Sequence, residues 1–263
     1  MTPDRKPDLH VVSLHYTLRK NEKLSYVNPP ALKFDSPEGN FELADGKLRC
    51  EMKKNFATEE EARKVVDPFL KAWEIDADLR LGRGTLRFDF KRAEIVDRSP
   101  VIPDDNHKHI ILSAETGAIS VAGHSAIICR TQNTYPEPPR SFRLTPDADS
   151  LWFRYQGYLD GREPLLSMVY FCLTVLESTA NGRNSASRKY NIALTILDKI
   201  GDLTSKHGDH RIARKASKGG NPPLTGEECV WLETAVKLLI WRVGDNLEAI
   251  SLSPITMADL PKI

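Results

Sequence analysis

The hydrophobic periodicity of this chain changes once, at a proline-rich segment near its midpoint. From Leu9 to Arg130 the apolar residues mostly alternate with polar ones, a pattern typical of half-buried strands. After Pro146 they recur every three to four residues, which indicates amphipathic helices. Because strands come first and helices second, we predict an α+β protein in which a mostly antiparallel sheet domain with one helix precedes a helical bundle.

Two hairpins are predicted in the sheet-rich half. The first joins Phe41–Leu43 to Leu48–Met52 through Asp45-Gly46, a dipeptide that supplies the positive φ angles of a two-residue turn. The second joins Ile110–Leu112 to Ile119–Val121 through Thr116-Gly117. A strand is also expected over residues 10–18, and another from residue 85 towards residue 96.

One helix is predicted to interrupt these strands. Thr58 and Glu61 have the spacing of a capping box, and apolar residues then recur on one face as far as Trp73. Pro68 is expected to kink this helix or to split it near Asp67, since proline lacks an amide hydrogen and clashes with the preceding turn. Trp73 is interpreted as a core residue.

The predicted domain organisation follows from these patterns. Residues 1–135 form the sheet-rich domain, residues 136–149 form a proline-rich linker, and residues 150–263 form the helical bundle with an extended tail. Leu165–Leu176 is apolar almost all round and is therefore expected to be the central helix. A second helix carries an apolar stripe over residues 192–203, and a third begins with a capping box at Thr225 and ends at Gly244.

Composition excludes several classes of protein. Lys plus Arg number 37 against 36 Asp plus Glu, so the whole chain is not specialised for binding polyanions. No apolar stretch approaches the roughly 20 residues of a membrane span, and the N-terminus lacks the apolar core of a secretory signal. The four cysteines, Cys50, Cys129, Cys172 and Cys229, form no CxxC pair, which favours reduced thiols in a cytoplasmic protein. We expect no metal, no cofactor and no membrane partner.

Three short motifs suggest chemistry but lack the context that it needs. His107 and His109 share one face of a predicted strand, yet too few further ligands follow to close a metal site. His124 and Ser125 are adjacent, so in a strand they point to opposite faces and the histidine cannot activate the hydroxyl. The run from Gly82 to Gly84 lacks a third glycine and a following helix, and is therefore interpreted as a turn.

The charge distribution is uneven in one place, between Arg183 and Lys218. Nine basic residues stand there against three acidic ones. Such a density of cations can neutralise phosphates, which predicts binding of RNA or another polyanion, whereas a solvated helix face with a mobile loop is the simpler interpretation. The candidate binding residues are Arg183, Arg188, Lys189, Lys206, Arg211, Arg214, Lys215 and Lys218.

A catalytic interpretation of the same segment rests on two histidines. His207 or His210 would act as general acid or base, and Arg211 would stabilise the transition state of metal-independent RNA cleavage by the neighbouring 2′-hydroxyl. A helix C-terminus complemented by basic residues explains these residues equally, and we prefer that interpretation.

The C-terminal half resembles a known superfamily of helical bundles. The apolar run Leu166–Glu177, which ends in Glu, is similar to the central helix of HEPN-type bundles, and shorter helices follow from Asn181 to Asp245. The resemblance implies a helical bundle that faces a dimer partner. Ribonuclease members of that superfamily carry an Arg and a His four to six positions apart in one helix, and this bundle has no such pair.

A second, fainter resemblance spans the whole chain. Residues 72–79, 96–98 and 254–261 resemble those of bacterial methylamine-utilisation accessory proteins, and this resemblance implies no particular reaction. The leading hypothesis is therefore a cytoplasmic, non-catalytic bacterial binding or regulatory module that binds an anionic partner such as RNA and forms a homodimer through its bundle. The alternative hypothesis is a metal-independent HEPN-type ribonuclease that acts as a defence or toxin-like effector.

Overall fold

The chain divides into two compact units, residues 1–139 and 140–263. In this computed structural model, the structure describes residues 7–19, 24–99, 130–207, 222–245 and 252–263. Strands and one helix make up the described part of the first unit, and helices dominate the second. The predicted α+β class is therefore confirmed.

A five-stranded antiparallel sheet forms the first unit. Its strands are β1 (Leu9–Leu18), β3 (Leu32–Asp35), β4 (Gly39–Ala44), β5 (Lys47–Met52) and β6 (Phe88–Asp97). They are ordered β3-β4-β5-β1-β6, and every neighbouring pair is antiparallel. Short strands β2 (Leu24–Tyr26) and β7 (Arg130–Gln132) pair in parallel beside it. Strand β1 is thus an inner strand that pairs with β5 on one side and with β6 on the other.

The first predicted hairpin is confirmed. Asp45 and Gly46 have φ angles of 50° and 69°, and they connect β4 directly to β5. Both angles are positive, as the mirror-image turns that match strand twist require. The second predicted hairpin lies outside the described residues.

Helix α1 (Glu59–Leu81) covers one face of this sheet. Its buried Val66, Phe69 and Trp73 pack against Leu14 and Phe41 of the strands. Thr58 caps the helix by accepting a hydrogen bond from the Glu61 amide at 3.3 Å. The helix continues through Pro68, so the predicted split is wrong; burial of its apolar face outweighs the one backbone hydrogen bond that proline cannot donate.

The proline-rich segment begins as part of the sheet unit. Trp73 is fully buried and donates its indole N–H to the Pro136 carbonyl at 3.2 Å. Tyr135 is buried, and its hydroxyl accepts a hydrogen bond from the Gly46 amide at 2.9 Å. Residues 146–149, at the other end of the predicted linker, are the first turn of a helix.

Among its described residues, the second unit has five α-helices. They are α2 (Pro146–Leu159), α3 (Leu165–Ala180), α4 (Arg183–Tyr190), α5 (Leu194–Lys206) and α6 (Gly226–Gly244). Helix α3 contacts each of the other four and is the central helix, as its apolar sequence predicts. Helices α2 and α4 were not predicted individually: α4 is polar along most of its length, and α2 begins within the predicted linker, at Pro146.

One close contact and the C-terminal tail complete the described part of the bundle. A Cβ at Gly244 would stand 2.2 Å from Cε2 of the buried Phe142, so only glycine fits at the end of α6. The tail, residues 252–263, contains the 3-10 turn Met257–Asp259 and buries Ile255 and Leu260. Ile255 exchanges backbone hydrogen bonds with Asn191 and Ala193, which holds the tail beside the junction of α4 and α5.

Candidate functional site

The face of the sheet opposite α1 is polar across all five strands. Because side chains alternate along a strand, the residues between the buried ones project to this second face. On β4 and β5, for example, Phe41 and Cys50 are buried towards α1, whereas Glu42, Arg49 and Glu51 project outwards. We call this surface the outward sheet face.

Strand register arranges these outward residues in two rows that cross the strands. Lys33 lies opposite Glu42, Glu42 opposite Arg49, Arg49 opposite His15, and His15 opposite Arg92. Two residues further along the strands, a parallel set of pairings joins acidic and neutral side chains. The basic row is Lys33, Glu42, Arg49, His15 and Arg92, and the acidic row is Asp35, Asn40, Glu51, Ser13 and Glu94.

The two rows lie close together, since outward positions on one strand are about 6.7 Å apart. Ion pairs form within the basic row and between the rows: Lys33 Nζ lies 3.0 Å from Glu42 Oε1, and Arg49 Nη1 lies 3.1 Å from Glu51 Oε1. Arg92 is exposed and forms no ion pair with any residue that the structure describes. Among the cations of the basic row, the Arg92 guanidinium is therefore the one without an ion-pair partner in the described part of the chain.

A shallow concavity lies over β3, β4 and β5 on this face. Its volume is about 430 Å³, and charged side chains of both rows line it, among them Lys33, Asp35, Arg49 and Glu51. These side chains are between 46% and 71% exposed. Within the described part of the chain, the charged side chains over β3 and β5 are thus exposed to the solvent.

At the centre of the face, three polar side chains form one hydrogen-bonded chain. Ser13 Oγ lies 2.8 Å from Glu94 Oε2 and 2.9 Å from His15 Nε2. A carboxylate only accepts hydrogen bonds, so Ser13 donates its one proton to Glu94 and accepts the Nε2 proton of His15. Ser13 is 0% exposed, which prevents it from acting as a nucleophile towards a bound substrate.

The charge environment keeps His15 neutral at neutral pH. Burial lowers the pKa of His15, and the neighbouring Arg92 and Arg49 lower it further, against the opposing effect of Glu94. The hydrogen bond from Ser13 lowers the pKa of the Glu94 carboxyl, which is therefore ionised. The face accordingly contains an ionised carboxylate and a neutral imidazole joined by one hydroxyl.

Arg183, the first arginine of the basic segment, forms ion pairs within the second unit. Arg183 Nε donates to Glu177 Oε1 at 2.6 Å, and Nη1 donates to Asp198 Oδ1 at 3.0 Å. Its guanidinium lies over Gly201, where a Cβ would stand 2.7 Å from Nη2. Arg183 thereby joins α3, α4 and α5 and has little capacity left for a nucleic acid.

The other described cations of that segment are nearer to the solvent. Lys206 pairs with Asp202 at 3.1 Å, and Lys189 donates to the Thr179 carbonyl at 3.3 Å. Arg188 is exposed and makes no side-chain bond with the described part of the chain. Arg211, Arg214, Lys215 and Lys218 lie outside the described residues.

His207 lies at the end of α5 and contacts the start of α6. Its Nδ1 is 3.3 Å from the Pro223 carbonyl, and its Nε2 is 3.7 Å from Glu228 Oε1. Glu228 also accepts the Thr225 amide in the capping box of α6, and that hydrogen bond lowers the pKa of its carboxyl. His207 therefore joins two helix ends, while His210 and Arg211 lie outside the described residues and the ribonuclease hypothesis stays a prediction.

The remaining chemical motifs add no site. His107, His109, His124 and Ser125 lie outside the described residues, and Gly82 and Gly84 have the positive φ angles of the predicted turn. Within the described ranges, no group of three or more His, Cys, Asp or Glu side chains is arranged to hold a metal ion.

Sequence reasoning missed the outward sheet face. Its residues occupy the polar positions of strands, which by themselves indicate only solvent exposure. The detectable signal was the repeat of opposite charges two positions apart, as in Lys33 and Asp35 or Arg49 and Glu51. Without the register, nothing aligned these pairs with each other or with His15.

Comparisons with protein-family models, with curated proteins and with solved structures return no match. The resemblances to HEPN-type bundles and to methylamine-utilisation accessory proteins therefore stay predictions.

Proposed function

We propose that this chain is a non-catalytic binding module that recognises a protein partner through the outward sheet face. The observation that carries the proposal is the alignment of two oppositely charged rows across the five strands. Charged groups in a fixed pattern favour a partner with the complementary pattern and disfavour others, so they contribute specificity more than raw affinity.

The same pattern favours a protein over a nucleic acid. A phosphate backbone on the basic row would lie about 7 Å from the carboxylates of Glu51 and Glu94, within the screening length of about 8 Å at physiological salt. Lys33 and Arg49 are also partly neutralised by Glu42 and Glu51. A protein segment that carries both acidic and basic side chains can pair with both rows at once.

The absence of aromatic side chains among the members of the two rows supports this choice. Proteins that bind single-stranded RNA on a sheet stack its bases on exposed aromatic rings. Here the aromatic residues Phe34, Phe41 and Phe90 belong to, or pack against, the core on the other face. The residues of the two rows offer charge pairing without stacking, while Phe34 and Phe41 also line the concavity.

We also propose a cytoplasmic location. The described cysteines Cys50, Cys172 and Cys229 are free thiols, which is the usual state in a reducing compartment. No described helix is long and apolar enough to cross a membrane.

A titration of isotope-labelled full-length protein tests the binding proposal. The probes are a blocked peptide of alternating Glu and Lys, blocked hexa-aspartate, blocked hexalysine and a ten-nucleotide single-stranded RNA, and the readout is the amide shifts of β1, β3, β4, β5 and β6. We expect the alternating peptide and hexa-aspartate to move signals of the outward sheet face, and the RNA to leave them unchanged. Movement by the RNA alone, or by no probe, would overturn the proposal.

A matched pair of variants locates the interaction. Replacing Lys33, Arg49 and Arg92 together by Gln should abolish the shifts, because it removes the lysine and arginine cations of the basic row. Replacing Lys54 and Lys64, which are exposed and belong to neither row, should preserve them. RNA incubated in EDTA with the same preparation checks the ribonuclease alternative, and a mass measurement in solution checks the predicted homodimer.

A further inference from the structure

We infer that His15, Arg49 and Arg92 form a carboxylate-binding site, and that His15 takes up a proton when an acidic side chain of a protein partner binds there. This inference rests on the function proposed above and names the part of the outward sheet face that recognises the partner's acidic residues. Its ligand is a carboxylate of an Asp or Glu side chain.

The geometry brings the three groups together. Arg49 and Arg92 are the direct cross-strand neighbours of His15 on its two sides, in β5 and β6. Directly opposite residues of antiparallel strands have Cβ atoms about 5 Å apart, so one carboxylate above His15 is within reach of both guanidinium groups. Arg92 is uncommitted among the described residues, and Arg49 has a single partner, the 50% exposed Glu51.

Hydrogen bonding determines where the proton would go. His15 Nε2 already carries a hydrogen, because the Ser13 hydroxyl uses its own hydrogen to donate to Glu94 and can only accept from the imidazole. The unprotonated nitrogen of neutral His15 is therefore Nδ1, which has no hydrogen-bond partner within the described part of the chain. Protonation at Nδ1 leaves the bonds among His15, Ser13 and Glu94 intact.

The groups that face His15 explain why the proton arrives only with the ligand. Arg49 from β5 and Arg92 from β6 oppose a charge on His15, whereas Glu94, 3.8 Å from Nε2, favours it through Ser13. Glu51 lies opposite Ser13 in the acidic row. A bound carboxylate offsets the two arginines and so removes much of the electrostatic penalty on the imidazolium.

Binding of the carboxylate with proton uptake at His15 needs no co-reactant. The carboxylate arrives ionised, since an ordinary Asp has a pKa of about 3.9, and one proton moves from solvent to Nδ1. No covalent bond changes. Because the bound state holds more protons than the free state, affinity must rise as the pH falls through the pKa of His15 in the complex.

A carboxylate fits this site better than a phosphate does. The neighbouring acidic row, with Glu51 and Glu94, repels a doubly charged phosphate more strongly than a singly charged carboxylate. Inorganic phosphate at the same ionic strength is therefore the competing probe, and it should bind at least several-fold more weakly than hexa-aspartate.

The experiment follows the ring nitrogens of His15 by NMR across pH 5.0 to pH 8.0, with and without saturating hexa-aspartate. We expect the free ring to titrate below the ordinary range of histidine and the peptide to raise its pKa. If the two pKa values differ by about one, affinity rises about tenfold as the pH falls from above both values to below both. His15→Asn should bind without this pH dependence, and the matched variant His10→Asn should retain it.

The outcomes separate the inference from the function on which it rests. If hexa-aspartate moves signals of the outward sheet face but the His15 ring titrates identically with and without it, the inference is wrong and the proposed function stands. If no probe moves those signals, both fail. Measurement of the ring titration in the unmodified protein keeps the inference testable even if His15→Asn does not fold.

Discussion

Arginine serves opposite purposes in the two units of this protein. In the helical bundle, Arg183 is held by Glu177 and Asp198 and fastens three helices together. In the sheet, Arg92 is exposed and unpaired among the described residues, and register places it in line with Arg49 and His15. Density of charge along the chain therefore says little about function, whereas alignment of charge in space says more.

The largest effect on stability is expected at the close contact between Gly244 and Phe142. Gly244→Ala should lower the free energy of unfolding by about 2–4 kcal/mol, because the new Cβ would overlap the ring of the buried Phe142. Denaturant unfolding followed by tryptophan fluorescence measures the change. Gly226→Ala is the control, since a Cβ there meets nothing within 4 Å. A tolerated Gly244→Ala would show that Phe142 moves aside readily.

The structural role of Arg183 predicts an intermediate effect. Arg183→Met should lower the free energy of unfolding by about 1–2 kcal/mol, a value reduced from that of a buried ion pair because the side chain is 29% exposed. Arg188→Met, on the same helix, should change it by less than about 0.5 kcal/mol. The same unfolding measurement compares the two variants. Equal effects would contradict the assignment of Arg183 to the framework of the bundle.

The surface role of Arg92 predicts the smallest effect on stability. Arg92→Gln should change the free energy of unfolding by less than about 0.5 kcal/mol, because no described partner is lost. It should nevertheless weaken hexa-aspartate binding about two- to fivefold, which is the range of one exposed charge pair. Arg98→Gln is the control for binding, because Arg98 directly follows β6 and belongs to neither row. A large loss of stability in Arg92→Gln would show that Arg92, like Arg183, has a structural role.

Local patterns predicted much of the fold. Asp45-Gly46 predicted its hairpin because only certain residues tolerate two successive positive φ angles, and Thr225 with Glu228 predicted the start of α6 because both side chains bond backbone amides there. Such signals depend on a few neighbouring residues. The predicted split at Pro68 does not occur, because the burial of Val66, Phe69 and Trp73 against the sheet is a non-local contribution that favours a continuous helix.

The candidate site was less accessible to prediction. The basic stretch from Arg183 was predicted to bind a polyanion because its residues are close together in sequence. However, Arg183 forms ion pairs within the bundle, and four other members lie outside the described residues. The basic row is discontinuous, with one member from each of five strands between residues 15 and 92. His15 drew no notice because one histidine in a strand has no distinguishing neighbours along the chain.

Periodicity, turn residues and helix caps were sufficient to determine the fold class, the position of α3 at the centre of the bundle and the course of β4 and β5, because these features arise from interactions between residues close in the chain. Tertiary structure alone decided which charges stand together. The pairing of β1 with β5 on one side and β6 on the other brings Arg49 and Arg92 to His15, and strand register is set by the whole buried face of the sheet.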